Sequence, residues 1–198
     1  MKSFALLGCI FFTLATYSQQ AATYLDSLQQ FRNHYIETHE VVKAPNRQYL
    51  QFYTIDPAYR LQAKLERLSS SHWFSMNTSG KVKQAFRKYG KLTFTLLGKP
   101  LQLFVYQSQD LMRSKEYANY LFVPFTDSSS GLESYNGGRY MDFMVSDIKG
   151  SLLEIDFNKA YNPYCAYSTG YSCPIPPNEN DLAVAIQAGE KNYAFKRQ

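Results

Sequence analysis

Cysteine, histidine and tryptophan are scarce in this 198-residue chain, which carries three, three and one of them. Three Cys exclude a knottin-like disulfide scaffold and a multi-zinc protein. The His residues stand at 34, 39 and 72, none beside a plausible nucleophile in sequence. A Ser–His hydrolase therefore has little support, although a triad can assemble from distant positions. Each His reads as a surface or core residue rather than a ligand. The chain has no G-x-S-x-G elbow, no H-E-x-x-H, no Walker A loop and no G-x-G-x-x-G. It also lacks a fixed-period repeat and a low-complexity linker. No segment after the N-terminus reaches the ~18 apolar residues that a spanning helix needs.

Aromatic side chains are plentiful. Seventeen Tyr and fourteen Phe, within a hydrophobic fraction of 45%, exclude a disordered chain and can fill a sizeable core. The length suits one domain. The formal charge is +5, but its densest basic group (Lys81, Lys83, Arg87, Lys88, Lys91) is spaced like the wet face of a strand pair. A nucleic-acid footprint would want a larger contiguous patch, so no nucleic-acid partner is expected.

The opening MKSFALLGCIFFTLATYSQQ joins one Lys to a short apolar run and then small and polar residues, the layout of a secretory signal peptide. Cleavage after Ser18 leaves residues 19–198 as the mature domain, exported to the periplasm or the exterior. The alternative is a lipid anchor at Cys9, through the box Leu6-Leu7-Gly8-Cys9.

Residues 21–38 predict a helix. Tyr24, Leu28, Phe31 and Tyr35 form its apolar stripe with Leu25 beside them, while Gln29, Gln30, Arg32 and Asn33 face away. From Tyr59 the period becomes two, at Leu61/Ala63/Leu65, Leu92/Phe94/Leu96, Leu101/Leu103/Val105 and Leu182/Val184/Ile186. Such alternation marks antiparallel strands buried on one face. Turns are expected at Tyr89-Gly90-Lys91 and Leu97-Gly98-Lys99-Pro100, and Asn136-Gly137 is the strongest hairpin signal. The fold class is α+β and mainly β: an antiparallel sandwich or partly open barrel with one N-terminal helix packed on it.

Residues 158–180 break this logic. They hold four Tyr, two Cys and four Pro without a usable period, and such a stretch in a compact domain is usually functional or stapled. Here the chain resembles the bacterial family catalogued as domain of unknown function 1684. The resemblance rests on PFTDSSSGLESYNGGRY (124–140), IDFNKAYNPYCAYS (155–168), CPIPPNEN (173–180) and IQAGEK (186–191), with weaker similarity back to Asp56-Pro57-Ala58-Tyr59-Arg60. It implies no established activity, so it carries no catalytic role onto any residue.

The residues must speak for themselves. Cys165 and Cys173 form an even pair in the mature chain, and in an exported protein that is most often a disulfide; closing their loop stabilises by roughly 2.5 kcal/mol. C-x7-C is not a zinc spacing and no His lies near it, so no metal is expected. Gly137-Gly138-Arg139-Tyr140 can grip an anion through backbone N–H groups and a guanidinium. It can equally be a Gly-rich hairpin whose Arg139 pairs internally with Asp127, Asp142 or Glu190.

Asp156 and Asn158 can offer oxygen to a hard cation, but the EF-hand pattern fails at Ala160 and Tyr161, and capping of the Asn162-Pro163 turn is the alternative. The strut Pro174-Ile175-Pro176-Pro177 can orient Glu179 and Asn180 or merely cross the sheet. The site candidates are thus Arg139, Tyr140, Asp127, Asp142, Asn158, Tyr161, Asn162, Glu179, Asn180 and Glu190, with no cofactor expected. Three functions stay open. One is a non-catalytic domain binding a small polar or saccharide-like ligand or an envelope protein partner. The others are a carboxylate-dependent hydrolase around Arg139, and a purely structural domain plugged by its irregular segment.

Overall fold

The computed structural model describes the backbone of residues 5–195 and the side-chain surroundings of residues 22–195. The first residues of the expected leader, and the side chain of Cys9, lie outside the described residues. The chain divides into two compact units, one ending at Thr38 and the other beginning at His39.

The first unit holds α1 (Ala5–Thr38), which starts well before the expected boundary. No Pro interrupts the segment, and its Leu and Ala residues are strong helix formers. The expected stripe is only partly realised. Leu28 and Arg32 are buried while Leu25 and Phe31 are exposed. Arg32 follows Leu28 by one helical turn, so the two lie on the same face of the helix.

The second unit is one curled, half-barrel sheet rather than a sandwich. Its strands are β1 (Arg60–Arg67), β2 (Phe74–Met76), β3 (Gln84–Leu96), β4 (Lys99–Ser108), β5 (Tyr120–Asp127), β6 (Arg139–Met144), β7 (Leu152–Asp156) and β8 (Asp181–Leu182). The order is β6-β5-β4-β3-β1-β7, with β2 on β3 and β8 on β5. The open seam therefore lies between β6 and β7.

The alternating runs do what their period demands. Ala63, Leu65, Leu92, Phe94, Leu96, Leu103 and Val105 join one large core, together with Leu121, Val123, Phe125 and Met141 of β5 and β6. On the opposite face Phe86, Tyr106, Phe122 and Tyr140 form a second, aromatic layer with Met76.

Three local expectations are corrected. Tyr89-Gly90-Lys91 is no turn but lies inside β3, at a bulge where the register with β4 shifts. The close neighbour explains the glycine: a Cβ on Gly90 would stand 2.8 Å from the Glu66 carbonyl oxygen and from Leu65 Cδ1. Asn136-Gly137 forms a turn ahead of β6, closed by Gly138 N–H on the Tyr135 carbonyl (3.0 Å), within a loop far longer than a two-residue hairpin. The run through Leu182, Val184 and Ile186 keeps its alternate burial, but only Asp181–Leu182 is strand, and it pairs with β5 in parallel. The Leu97-Gly98 turn between β3 and β4 is as expected, both residues having positive φ.

Replacing Gly90 with Ala is expected to cost about 1–3 kcal/mol. The check is urea unfolding, with a lowered midpoint at an unchanged slope.

Candidate functional site

Arg139 opens β6 and faces the large core. Its side chain has no exposed surface. The guanidinium donates to Asp127 Oδ2 at 2.8 Å, to the Ile186 carbonyl at 2.8 Å, and to the carbonyls of Ala188 and Glu190. The rings of Phe125 and Tyr53 lie 5.3 and 5.8 Å from it. Asp127 ends β5 and spends its other oxygen on the N–H groups of Ser129 and Ile186. The internal ion pair, one of the two readings of the Gly-Gly-Arg motif, is therefore present. Gly138 carries φ +83°, and a Cβ there would sit 2.5 Å from the Phe125 carbonyl oxygen, so the glycine serves the approach of β6 to β5.

Glu190 is also fully buried. It accepts from Asn162 N–H at 2.9 Å and from the Tyr167 hydroxyl at 2.7 Å. Three buried asparagines act as pieces of backbone. Asn158 receives Asp56 N–H at 3.1 Å and returns a hydrogen bond to the Asp56 carbonyl at 2.8 Å. Asn180 does the same to Phe104, at 2.7 and 2.9 Å, and adds a bond to the Pro124 carbonyl at 2.7 Å. Asn162 donates to the Lys191 carbonyl. Asp156 caps the turn Phe157–Lys159 rather than the Asn162-Pro163 turn expected of it. It reaches Asn158 because that residue is curled into the turn instead of extended. Among the described residues no group of three His, Cys, Asp or Glu side chains is placed to hold a metal ion.

Glu179 takes the Tyr106 hydroxyl at 2.6 Å and the Lys88 ammonium at 2.9 Å. Burial alone would raise its carboxyl, but those two hydrogen bonds and the Lys88 charge bring it below the ordinary range. Lys91 pairs with Glu66, and Arg87 donates to Gln107 beside the Trp73 ring. These pairings break up the basic group.

The remaining candidates, Tyr140, Asp142 and Tyr161, stand together on the aromatic face. Tyr140 and Asp142 are two apart on β6, Asp142 faces Phe122 of β5, and Tyr161 pairs with Tyr140 through backbone hydrogen bonds in both directions. The rings of Phe122 and Tyr140 meet edge to face at 4.7 Å, those of Tyr140 and Tyr161 at 5.8 Å. A shallow groove of about 260 Å³ runs over this face, walled by Phe86, Tyr120, Phe122, Tyr140, Tyr161 and Pro174. The Tyr140 hydroxyl donates to the Pro174 carbonyl.

Tyr161 donates to Asp142 Oδ2 at 2.5 Å, and the Tyr120 hydroxyl acts on the same carboxylate. Burial first, then the Asp142 charge, hold both phenols protonated far above their usual range, so they remain donors. Asp142 keeps solvent on one side, yet protein crowds its carboxyl on the others. That desolvation raises it above the ordinary carboxylate range against the lowering pull of the two hydroxyls. Asp142 lines a different groove, of about 530 Å³, in the open seam between β6 and β7, with Asp147, Glu154, Asp156, Lys149 and Lys159. Tyr120, Phe122 and Phe86 escaped the sequence reading. Residues 120–125 read as one continuous hydrophobic run, and only the alternation of Tyr120 and Phe122 against Leu121 and Val123 signals a second buried face.

Cys165 and Cys173 lie at disulfide distance, with Cα atoms 6.3 Å apart. The disulfide staples the segment that carries Tyr161 on one arm and Pro174 on the other.

A family described as "Protein of unknown function (DUF1684)" matches residues 47–191, most of the chain. The chain belongs to that family. Its fold recurs in the uncharacterized protein from a gene locus of Haloarcula marismortui, solved by NMR in solution. That protein is 30% identical with a TM-score of 0.66, over 87% of this chain and 96% of the other. No curated protein matches. The four long motifs are linked by hydrogen bonds: Arg139 of the first donates to the Ile186, Ala188 and Glu190 carbonyls of the fourth, Glu190 accepts from Asn162 of the second, and Asn180 of the third donates to the Pro124 carbonyl of the first.

Truncating Arg139 to Ala strands Asp127 and three carbonyls, and is expected to cost about 3–5 kcal/mol. Arg139→Lys recovers only part, because one ammonium cannot span the same acceptors. Chemical denaturation of both variants is the check.

A pH dependence follows from His39. Its Nδ1 accepts from Val41 and Val42 N–H, and its ring packs on Tyr167 at 4.5 Å. Burial first, then Arg47, lower it to about 4, with Glu40 opposing. The unfolded chain therefore binds this proton first. Stability is complete above about pH 6.5 and falls as the pH drops towards 4. Thermal melts across that window should flatten in His39→Gln relative to the native protein.

Proposed function

We propose that this is an exported, non-catalytic domain that binds a small polar or saccharide-like ligand on its aromatic face. Residues 1–18 act as the leader. The observation that carries the reading is the groove itself, lined by the rings of Tyr120, Phe122, Tyr140 and Tyr161, of which Tyr161 donates its hydroxyl to the exposed Asp142. Aromatic faces cover the apolar side of a ring-shaped ligand while hydroxyl and carboxylate groups fix its orientation. The pair of Cys at bonding distance suits an oxidising compartment.

One observation favours a second reading, carboxylate-dependent hydrolysis in the seam groove. Asp142 there is raised, whereas Glu154 across the seam is ion-paired with Arg60 at 2.9 Å. Two carboxyls in unlike surroundings are what acid–base work requires.

The test is a thermal-shift screen of neutral saccharides and small polar molecules, followed by NMR mapping of any ligand that raises the melting temperature. Binding should perturb Tyr120, Tyr140 and Tyr161, and Tyr161→Ala should weaken it by about tenfold. Turnover of a hit that disappears in Asp142→Asn would replace this reading with the hydrolase, and perturbations confined to other faces would end it.

A further inference from the structure

The seam between β6 and β7 exposes two strand edges, and the register shows which backbone groups they present. Leu65 N–H donates to the Ser151 carbonyl at 2.8 Å. By alternation Leu153 and Ile155 bond to β1, and Glu154 points its N–H and C=O outward. Leu152, two residues earlier, spends its outward groups on Lys149, at 2.8 and 3.1 Å. β6 behaves alike. Tyr140 turns outward to Tyr161, at 2.9 and 3.1 Å, and Asp142, two residues on, faces the same way. Among the described residues the outward N–H and C=O of Asp142 and Glu154 have no hydrogen-bond partner, and both residues are exposed and line the seam groove.

Sheet edges are ordinarily blunted by Lys, Pro or a bulge, because an open edge recruits other strands. β6 (RYMDFM) and β7 (LLEID) contain neither Lys nor Pro, and their pairing with β5 and β1 runs without a register shift. Charge then decides what can be recruited. Asp142, Asp147, Glu154 and Asp156 line the groove against Lys149 and Lys159, so carboxylates outnumber cations even with Arg60 on Glu154. A second copy of this chain, added through the same open groups, would set Asp142 or Glu154 beside another carboxylate, and like charges facing across strands repel. A cationic strand meets attraction at those positions. Side chains alternate too: Asp142 and Glu154 face outward, while Met141, Leu153 and Ile155 belong to the core and Phe143 packs against it.

We infer that the seam docks an extended segment of another protein, which adds as a strand with Lys or Arg at alternate positions and apolar residues between them. Its backbone takes up the open groups of Asp142 and Glu154. Its cations lie beside those two carboxylates, and its intervening side chains meet Met141 and Phe143 at the margin of the core. Tyr161 closes one end of the β6 edge and Lys149 one end of the β7 edge, so the added strand is short. The site uses a different groove from the aromatic one and stands whether or not a small ligand binds there.

The experiment is amide hydrogen exchange of the full chain by NMR, with a peptide of alternating Lys and Val about seven residues long as the probe. In the free protein the amides of Asp142 and Glu154 should exchange fast, and those of Tyr140 and Leu152 slowly. The peptide should slow exchange at Asp142 and Glu154 by at least about tenfold, and its binding should weaken as salt rises. Two further peptides separate charge from strand pairing. One carries Glu in place of Lys and should bind at least about tenfold more weakly. The other keeps Lys but is N-methylated along its backbone, and should give no protection. Slow exchange at both amides in the free protein, or no binding of the Lys–Val peptide, overturns the inference. Equal binding of the Glu peptide, or undiminished binding of the N-methylated one, overturns it too.

Discussion

A guanidinium with no exposed surface must be neutralised and hydrogen-bonded where it stands, because the cost of leaving it bare exceeds the margin by which small domains are stable. Arg139 meets this demand by drawing in Asp127 from the neighbouring strand and the carbonyls of Ile186, Ala188 and Glu190 from the last stretch of chain. Those three alternate residues belong to an extended strap with no strand partner along most of its length. Three of the strap's carbonyls, which a β-ladder would otherwise satisfy, are satisfied by this one side chain, while Val184, Gly189, Glu190 and Lys191 bond to backbone elsewhere. Ile186 and Ala188 can then turn their own side chains into the sheet's core. The arginine thereby makes burial of the C-terminal strap affordable.

The same device recurs in smaller form. Pro124 interrupts β5 and has no N–H to give, and β4 and β5 are in register only at Tyr106 and Phe122. Beyond that point Asn180 supplies an amide between the two strands, pairing with both polar groups of Phe104 and with the Pro124 carbonyl. Asn158 does likewise for the loop at Asp56. A buried side-chain amide presents the donor and acceptor of a peptide group in a similar arrangement, so it can stand in for a missing strand residue. The irregular third of the chain is held together by such substitutes and by the Cys165–Cys173 link, and regular pairing contributes little to it.

This explains what could be read from residues alone. Strands β1, β3 and β4 were legible because one face of each packs on the core and the other meets water or half-buried polar groups, which writes a period of two. β5 was less so: both its faces are buried, and Tyr120 and Phe122 look the same in sequence as Leu121 and Val123. Gly90 was misread because a glycine admitted for close approach of Glu66 and Leu65 has the same letter as one admitted for a turn. The polar residues of the late motifs stand out in the sequence because they follow no strand or helix period. Their letters do not say whether a carboxylate or amide faces solvent or backbone, since that depends on contacts more than fifty residues apart, such as Asn180 with Pro124 or Asn158 with Asp56.

Structural use of these groups sharpens the functional argument. A residue consumed by the fold cannot also greet a ligand without unfolding its surroundings, so Arg139, Asp127, Glu190, Asn158, Asn162 and Asn180 have little left to offer one. Glu179 is tied to Tyr106 and Lys88. What remains is Asp142, desolvated enough for its carboxyl to be raised and yet reached by solvent. The Tyr161 hydroxyl donates to one of its oxygens, so the carboxylate is oriented by the fold while staying exposed.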